Sequence, residues 1–443
     1  MTTLAIAKGT GQKLYERAKS LIPGGTQLLS KRPEMLLPEQ WPAYYSHAKG
    51  AELWDLDGNP YCDFSYAGLG ACPLGYADPV VDEAVQQAIA AGSISTLNCP
   101  EEVELAELLL DLHPWAEMVR YARTGGEAMA LAVRIARAAT GRDRIAFCGY
   151  HGWHDWYLAA NLSSEDGLDG HLLPGLQPSG VPRALQGTAV PFQYNRICEL
   201  EGIAQQYGRE LAAVVMEPIR NYEPAPGFLE RVRSICRELG AVLIFDEITS
   251  GWRLCCGGAH LKYGIAPDIA VFAKGMSNGY AMAAVTGTAS VMQAAQSSFI
   301  SSTYWTERIG PAAALASIRK HRQHEVAQYL IQVGRNVQEI WRQAALRTGL
   351  HITVSGIMPL GHFSFDYDDG QAIRTLFTQL MLTRGFLASN AFYSMYAHTE
   401  AQVDLYSQAV NKVFDQISRL IRDDSIEYAL EGPVAHSGFR RLT

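Results

Sequence analysis

Short apolar runs without alternation recur along this chain, and several end abruptly at a charge or a glycine. Ala241–Phe245 runs into Asp246, Ile269–Ala273 into Lys274, Leu211–Met216 into Glu217, and Arg144–Cys148 into Gly149-Tyr150. Runs of this length, rich in β-branched residues, suit strands buried on both faces of a parallel sheet. Glu117–Ala122 reads as a further strand. Helical stretches lie between them: Val80–Ala91, Pro100–Leu112, Ala128–Ala139 and Phe228–Leu239. Pro100 stands where the first turn of a helix tolerates a missing N–H. The alternation implies an α/β class, with a mostly parallel central sheet flanked by helices.

The two ends of the chain read differently. Residues 1–65 form an arm and a small sheet. In them a short helix, Leu14–Leu21, stops at Pro23-Gly24-Gly25, and a hairpin turns at Asp57-Gly58-Asn59. Residues 66–315 hold the large domain. Within it, Ser65–Gly75 is rich in glycine and aromatic residues, as suits a loop that approaches a ligand. Residues 164–195 are irregular, and a loop that long in a compact domain is usually functional. After Gly310 a long helix is expected to about Arg347, followed by strands within 352–368 and 387–396 and a helix over Ala401–Arg422. These make 316–443 a smaller α+β domain.

Composition narrows the class without naming it. The chain has 443 residues, 48% hydrophobic and 19% charged, with a formal charge of −8. That balance is globular and offers no basic field for nucleic acid or an anionic membrane. No run of about 18 apolar residues occurs, and the N-terminus lacks a signal-peptide layout, so a cytoplasmic location is expected. The eight cysteines form no CxxC pair and fit a reducing compartment, and Cys255-Cys256 is expected to be a pair of buried free thiols. His151 with His154, and His321 with His324, lack the neighbouring ligands that a metal needs, so no metal site is expected.

The strand ends carry the chemistry. Ligands of open α/β sheets bind at the carboxyl ends of the strands. Asp246 and Lys274 therefore point to one crevice, where each charge needs a partner. Pyridoxal phosphate (PLP) uses both kinds of group: an amine for its Schiff base and a carboxylate for its pyridine nitrogen. Lys274 would hold the aldehyde and then move the substrate proton, with Asp246 keeping the ring an electron sink. Either residue alone is also an ordinary strand-end charge. Gly125 and Gly126, between a strand and a helix, can bring backbone amides to a phosphate. Tyr150 can stack on one face of the ring and Ile248 on the other. Glu217 can orient substrate or cofactor.

Five motifs in order now resemble the class III aminotransferases, and within them the glutamate-1-semialdehyde 2,1-aminomutases. They are Thr124-Gly-Gly-Glu-Ala128, Tyr150-His151-Gly152, Met216-Glu217-Pro218, Phe245–Gly251 and Ala273-Lys274-Gly275. The resemblance runs from Ile22-Pro-Gly-Gly25 to Ala397-His398-Thr399, nearly the whole chain. It implies the PLP-dependent transferase fold type I, a Schiff base on Lys274, and a homodimer with active sites at the interface. It also implies that Thr303, helped by Ser302, reaches the partner's cofactor phosphate. Two departures stand out. The family's Gly-Asn-Pro after that threonine is replaced by Tyr304, Trp305 and Glu307, and the gating loop before Ala397 is short, with Tyr393 near the place of the family's glutamate.

These departures favour a transaminase over an aminomutase, because an aminomutase must retain its intermediate whereas a transaminase releases a keto acid. The hydroxyl-bearing and aromatic residues Tyr304, Trp305, Tyr393 and Tyr396 point to a polyhydroxylated carbonyl substrate. The chain is similar to aminomutase-like transaminases that aminate keto-sugars or cyclic keto acids. The expected reaction passes nitrogen from an amino acid, L-glutamate, to such a carbonyl. Arg32 and His151 are further candidates for substrate contact, whereas Arg253 reads as structural. The aminomutase reaction on one substrate, and a non-catalytic PLP-fold binding protein, remain the alternatives.

Overall fold

The computed structural model describes residues 9–164, 166–171 and 174–438. The first eight residues, part of the N-terminus read above, lie outside it, as do 165, 172 and 173 in the irregular stretch. Two compact units divide the described chain. One comprises Gly70–Pro73 and Asp78–Gln328; the other comprises the chain up to Leu69, Leu74–Ala77, and the chain from Tyr329 onward.

The first unit is built on seven strands: β1 (Met118–Ala122), β2 (Arg144–Cys148), β3 (Ala189–Pro191), β4 (Leu211–Met216), β5 (Val242–Asp246), β6 (Ile269–Phe272) and β7 (Ala283–Gly287). Their order across the sheet is β1-β7-β6-β5-β4-β2-β3. From β3 to β6 every neighbouring pair is parallel, and only β7 runs against its two neighbours. All residues of β4, β5, β6 and β7 are buried, which is why these runs show no alternation. Helix Gly125–Thr140 covers one face, packing Ala132, Ile135 and Ala136 with Val215, Ile244 and Val271. Helix Phe228–Leu239 covers the other, packing Val232 and Ile235 with Val214, Leu243 and Phe245. Each of the valine, leucine, isoleucine and phenylalanine side chains, once buried, contributes roughly 1.5–3 kcal/mol.

The helix after β1 starts at Gly125, three residues before the position expected from its apolar period. Thr124 caps it. Its hydroxyl accepts from Glu127 N, and Glu127 accepts from Thr124 N at 3.0 Å, a reciprocal capping box. The irregular stretch 164–195 contains a 3-10 turn, Arg183–Leu185, and the edge strand β3. The long helix expected after Gly310 is two helices, Ile309–Gln323 and Val326–Thr348, parted at Glu325, which takes a left-handed φ of 48°.

In the second unit Tyr45–Lys49, Glu52–Asp55, Pro60–Phe64 and Phe386–Ala388 make one sheet. Ile352–Ser355, Leu360–Phe365 and Ala391–Tyr393 make another. Helices Gly370–Leu382 and Glu400–Arg422 pack on a core that includes Trp341, Phe363, Phe377 and Phe414. No helix among the described residues is long and apolar enough to cross a membrane.

Candidate active site

The carboxyl ends of β1, β2, β4, β5 and β6 bring the candidate residues of the first unit to one rim of the sheet. Asp246 ends β5 and pairs in register with Val271 of β6, three residues before Lys274. Asp246 is 3% exposed. It accepts from Ile248 N at 3.0 Å and from His151 Nδ1 at 2.8 Å. His151 Nε2 lies 3.0 Å from the carbonyl oxygen of Cys148. Both ring nitrogens of His151 thus lie against oxygen atoms. This histidine, expected among the substrate contacts, is buried with its ring against Asp246 and the backbone.

Lys274 follows Ala273 at the tip of β6 and takes a φ of 48°, a conformation that non-glycine residues rarely adopt. Its Nζ donates to Thr249 Oγ1 at 2.9 Å. Burial lowers its amine to about 8, and the cations Arg220 and Arg253 push the same way, against the pull of Asp246 and Glu217. Arg253, 1% exposed, donates through Nε to Thr249 O at 2.8 Å and through Nη2 to Gly70 O. Thr249 thus links the amine to a buried arginine. The sequence reading passed over this threonine, although its place three residues past Asp246 on the loop beside Lys274 was a usable signal.

Gly125 and Gly126 open the capped helix. A Cβ on Gly125 would stand 2.8 Å from Ile248 Cδ1, and one on Gly126 would stand 3.1 Å from the His154 ring. A side chain at either position would require Ile248 or His154 to shift. Tyr150 is half-buried and edges onto Tyr157, with ring centroids 5.9 Å apart. Its N–H points to Glu217 Oε2 at 3.4 Å, and Gly149 leaves room for that carboxylate, since a Cβ there would come within 2.8 Å of it. Glu217 also accepts from Arg220 Nη1 at 3.1 and 3.3 Å.

Ser302 and Thr303 are exposed, and Tyr304 is 70% exposed. Trp305 packs against the core of the first unit, and Arg123 Nη2 donates to its carbonyl at 3.1 Å, one residue before the helix cap. Arg32 and Tyr393 belong to the second unit. Arg32 lies along Gly24, and Tyr393 meets Tyr66 edge-on.

The donor set fits PLP. A buried, anchored carboxylate suits a protonated ring nitrogen, a lysine with a lowered amine suits the aldehyde, and helix N-terminal amides suit the phosphate.

Comparison with known proteins agrees with this chemistry. The family model for aminotransferase class-III matches residues 38–372. Over 421 residues the chain is 30% identical to a 3-aminobutyryl-CoA aminotransferase of Cloacimonas acidaminovorans (strain Evry), covering 92% of this chain and 97% of that one. It is 32% identical to a 2'-deamino-2'-hydroxyneamine transaminase of Streptomyces kanamyceticus, covering 82% and 88%. It is also 32% identical to a glutamate-1-semialdehyde 2,1-aminomutase of Syntrophobacter fumaroxidans (strain DSM 10017 / MPOB), covering 92% and 98%. Among solved structures, the PLP form of the FumI protein of Sphingopyxis sp. MTA144 matches with a TM-score of 0.84 at 26% identity, covering 94% of this chain and 98% of that one.

Proposed function

The chain belongs to the class III aminotransferases, enzymes that use pyridoxal phosphate, and from that premise we propose that it carries nitrogen from L-glutamate to the carbonyl of a polyhydroxylated keto-sugar acid or a cyclic keto acid. The observation that carries the catalytic part is the pairing of β5 with β6, which sets the anchored carboxylate of Asp246 beside the strand that ends at Lys274. The acceptor class is supported by the residues that replace the family's Gly-Asn-Pro, and by the likeness to a 2'-deamino-2'-hydroxyneamine transaminase.

When bound, PLP supplies an aldehyde that exchanges amines and a ring that takes up the electron pair left as a proton leaves the substrate. The protein does the rest. The amides of Gly125 and Gly126 would hold the phosphate, Tyr150 and Ile248 would flank the ring, and Glu217 would orient its polar edge. Asp246, beside His151, would keep a proton on the ring nitrogen. Lys274 would take the proton from the substrate α-carbon and hold it at Nζ for return. An amine lowered to about 8 is neutral in a useful fraction near neutral pH, as a base must be.

The protein acts as a homodimer in this reading, with Ser302 and Thr303 reaching the partner's phosphate and Tyr304 and Trp305 at the substrate mouth. Its place is the cytoplasm. L-glutamate offered with a panel of keto-sugars and cyclic keto acids, read by product mass, should yield an aminated acceptor and 2-oxoglutarate. Turnover of glutamate 1-semialdehyde alone, with no second substrate consumed, would assign the aminomutase reaction instead.

A further inference from the structure

Arg220 follows β4 by four residues, at the same rim as Tyr150, Asp246 and Lys274. Its side chain is 19% exposed and its guanidinium faces Glu217, whose side chain is 8% exposed. Together with Gly149, Tyr194, Asn221 and Tyr222 the pair borders a cavity of about 220 Å³. A water occupies roughly 30 Å³ of liquid, so this space admits the head of a small amino or keto acid. The charge of Arg220 is felt at the Lys274 amine.

Two other arginines of this unit, Arg253 and Arg123, are held by backbone oxygens and an ion pair. Arg253 is buried against Thr249 and Gly70. Arg123 pairs with Glu307 at 3.0 Å and donates to the Glu307 carbonyl at 2.8 Å. A guanidinium carries five donors in a planar fork, so one arginine can keep a carboxylate on the protein and meet a second one from solution.

From this geometry we propose that Arg220 is the specificity residue that binds the substrate carboxylate, with Glu217 setting the plane of its guanidinium. The inference rests on the aminotransferase reading above. The carboxylate of the amino donor, and then that of the keto acid acceptor, lies against Arg220 and places the reacting carbon toward Lys274. Substrates lacking an anionic group lose this contact.

The test uses PLP-loaded wild type, Arg220→Gln and Arg220→Lys. Calorimetric titration with maleate, a dicarboxylate that has neither amine nor ketone, reads binding directly. A charge-assisted contact predicts that Arg220→Gln weakens maleate on the order of ten- to a hundredfold. Arg220→Lys should fall between, keeping the charge but not the fork. The preference for L-glutamate over a neutral primary amine, taken as a ratio of kcat/KM, should drop in Arg220→Gln by a similar factor, through KM more than kcat. A merely structural role would shift both donors alike. Equal maleate affinity in wild type and Arg220→Gln, or no binding to the wild type, overturns the assignment and leaves the aminotransferase reading standing. A wild type whose bound cofactor responds to no amine donor overturns that reading itself.

Discussion

Lys274 combines two costs that a surface lysine avoids: a left-handed backbone at φ 48° and a buried amine. Strain of this kind, on the order of 1–3 kcal/mol, persists where the surroundings enforce it, and it clusters at functional sites. The lowered amine has a direct consequence. The neutral form attacks an aldehyde, and it prevails above about pH 8 rather than above the ordinary 10.5. The rate at which apoprotein recombines with PLP should therefore climb with pH and level off just above 8; a rise that continues to pH 10 would contradict the lowered amine. Asp246→Asn should still bind the cofactor, but its turnover should fall by ~10²–10⁴, the range of proton-transfer groups, as read by single-turnover kinetics with L-glutamate. Unchanged turnover would remove Asp246 from the mechanism. At this scale the sequence revealed which residue types were present but not who faces whom. Asp246 and Lys274 were legible because each interrupts an apolar run. The partner of Asp246 was not, because His151 lies 95 residues away and no local pattern encodes that pairing.

The elements were legible where burial alone shapes the pattern. β4, β5 and β6 lie inside the sheet, and their unbroken apolar runs announce it. The miss at the N-terminus of helix Gly125–Thr140 had an overlooked signal, the Thr124-x-x-Glu127 spacing of a capping box. The break at His324-Glu325 had none, since neither glycine nor proline marks it. Leu387–Tyr396 hides a finer division. Phe386–Ala388 joins the sheet of Pro60–Phe64, whereas Ala391–Tyr393 pairs with Leu360–Phe365, a choice made by distant partners. Two close approaches between elements can be tested. Gly125→Ala would press a methyl onto Ile248 and should weaken PLP retention about tenfold or more, read by equilibrium dialysis, because overpacking costs ~1–3 kcal/mol. Gly334→Ala would place Cβ 1.8 Å from the carbonyl oxygen of Met358, where backbone has to move. It should destabilise the fold by about 2 kcal/mol or more in urea denaturation. A wild-type midpoint would show that helix Val326–Thr348 packs differently.

At the scale of the whole molecule, the first unit leaves large apolar side chains in water: Phe299 is 88% exposed, Leu97 80%, and Trp153 and Tyr304 70% each. The proposed dimer would bury such side chains. Light scattering should give twice the chain mass, and Phe299→Asp should shift the population toward monomer and lower PLP retention. A wild type that is monomeric at micromolar concentration would contradict both the dimer and the role given to Ser302 and Thr303. The central claim, that Lys274 and Asp246 grip one vitamin B6 ring, has a more direct test. Holoenzyme reduced with borohydride and digested should carry a pyridoxyl phosphate group on the peptide containing Lys274, and Lys274→Ala should carry none. Label on a different lysine, or an unlabelled Lys274 in protein that holds its cofactor, would contradict the account.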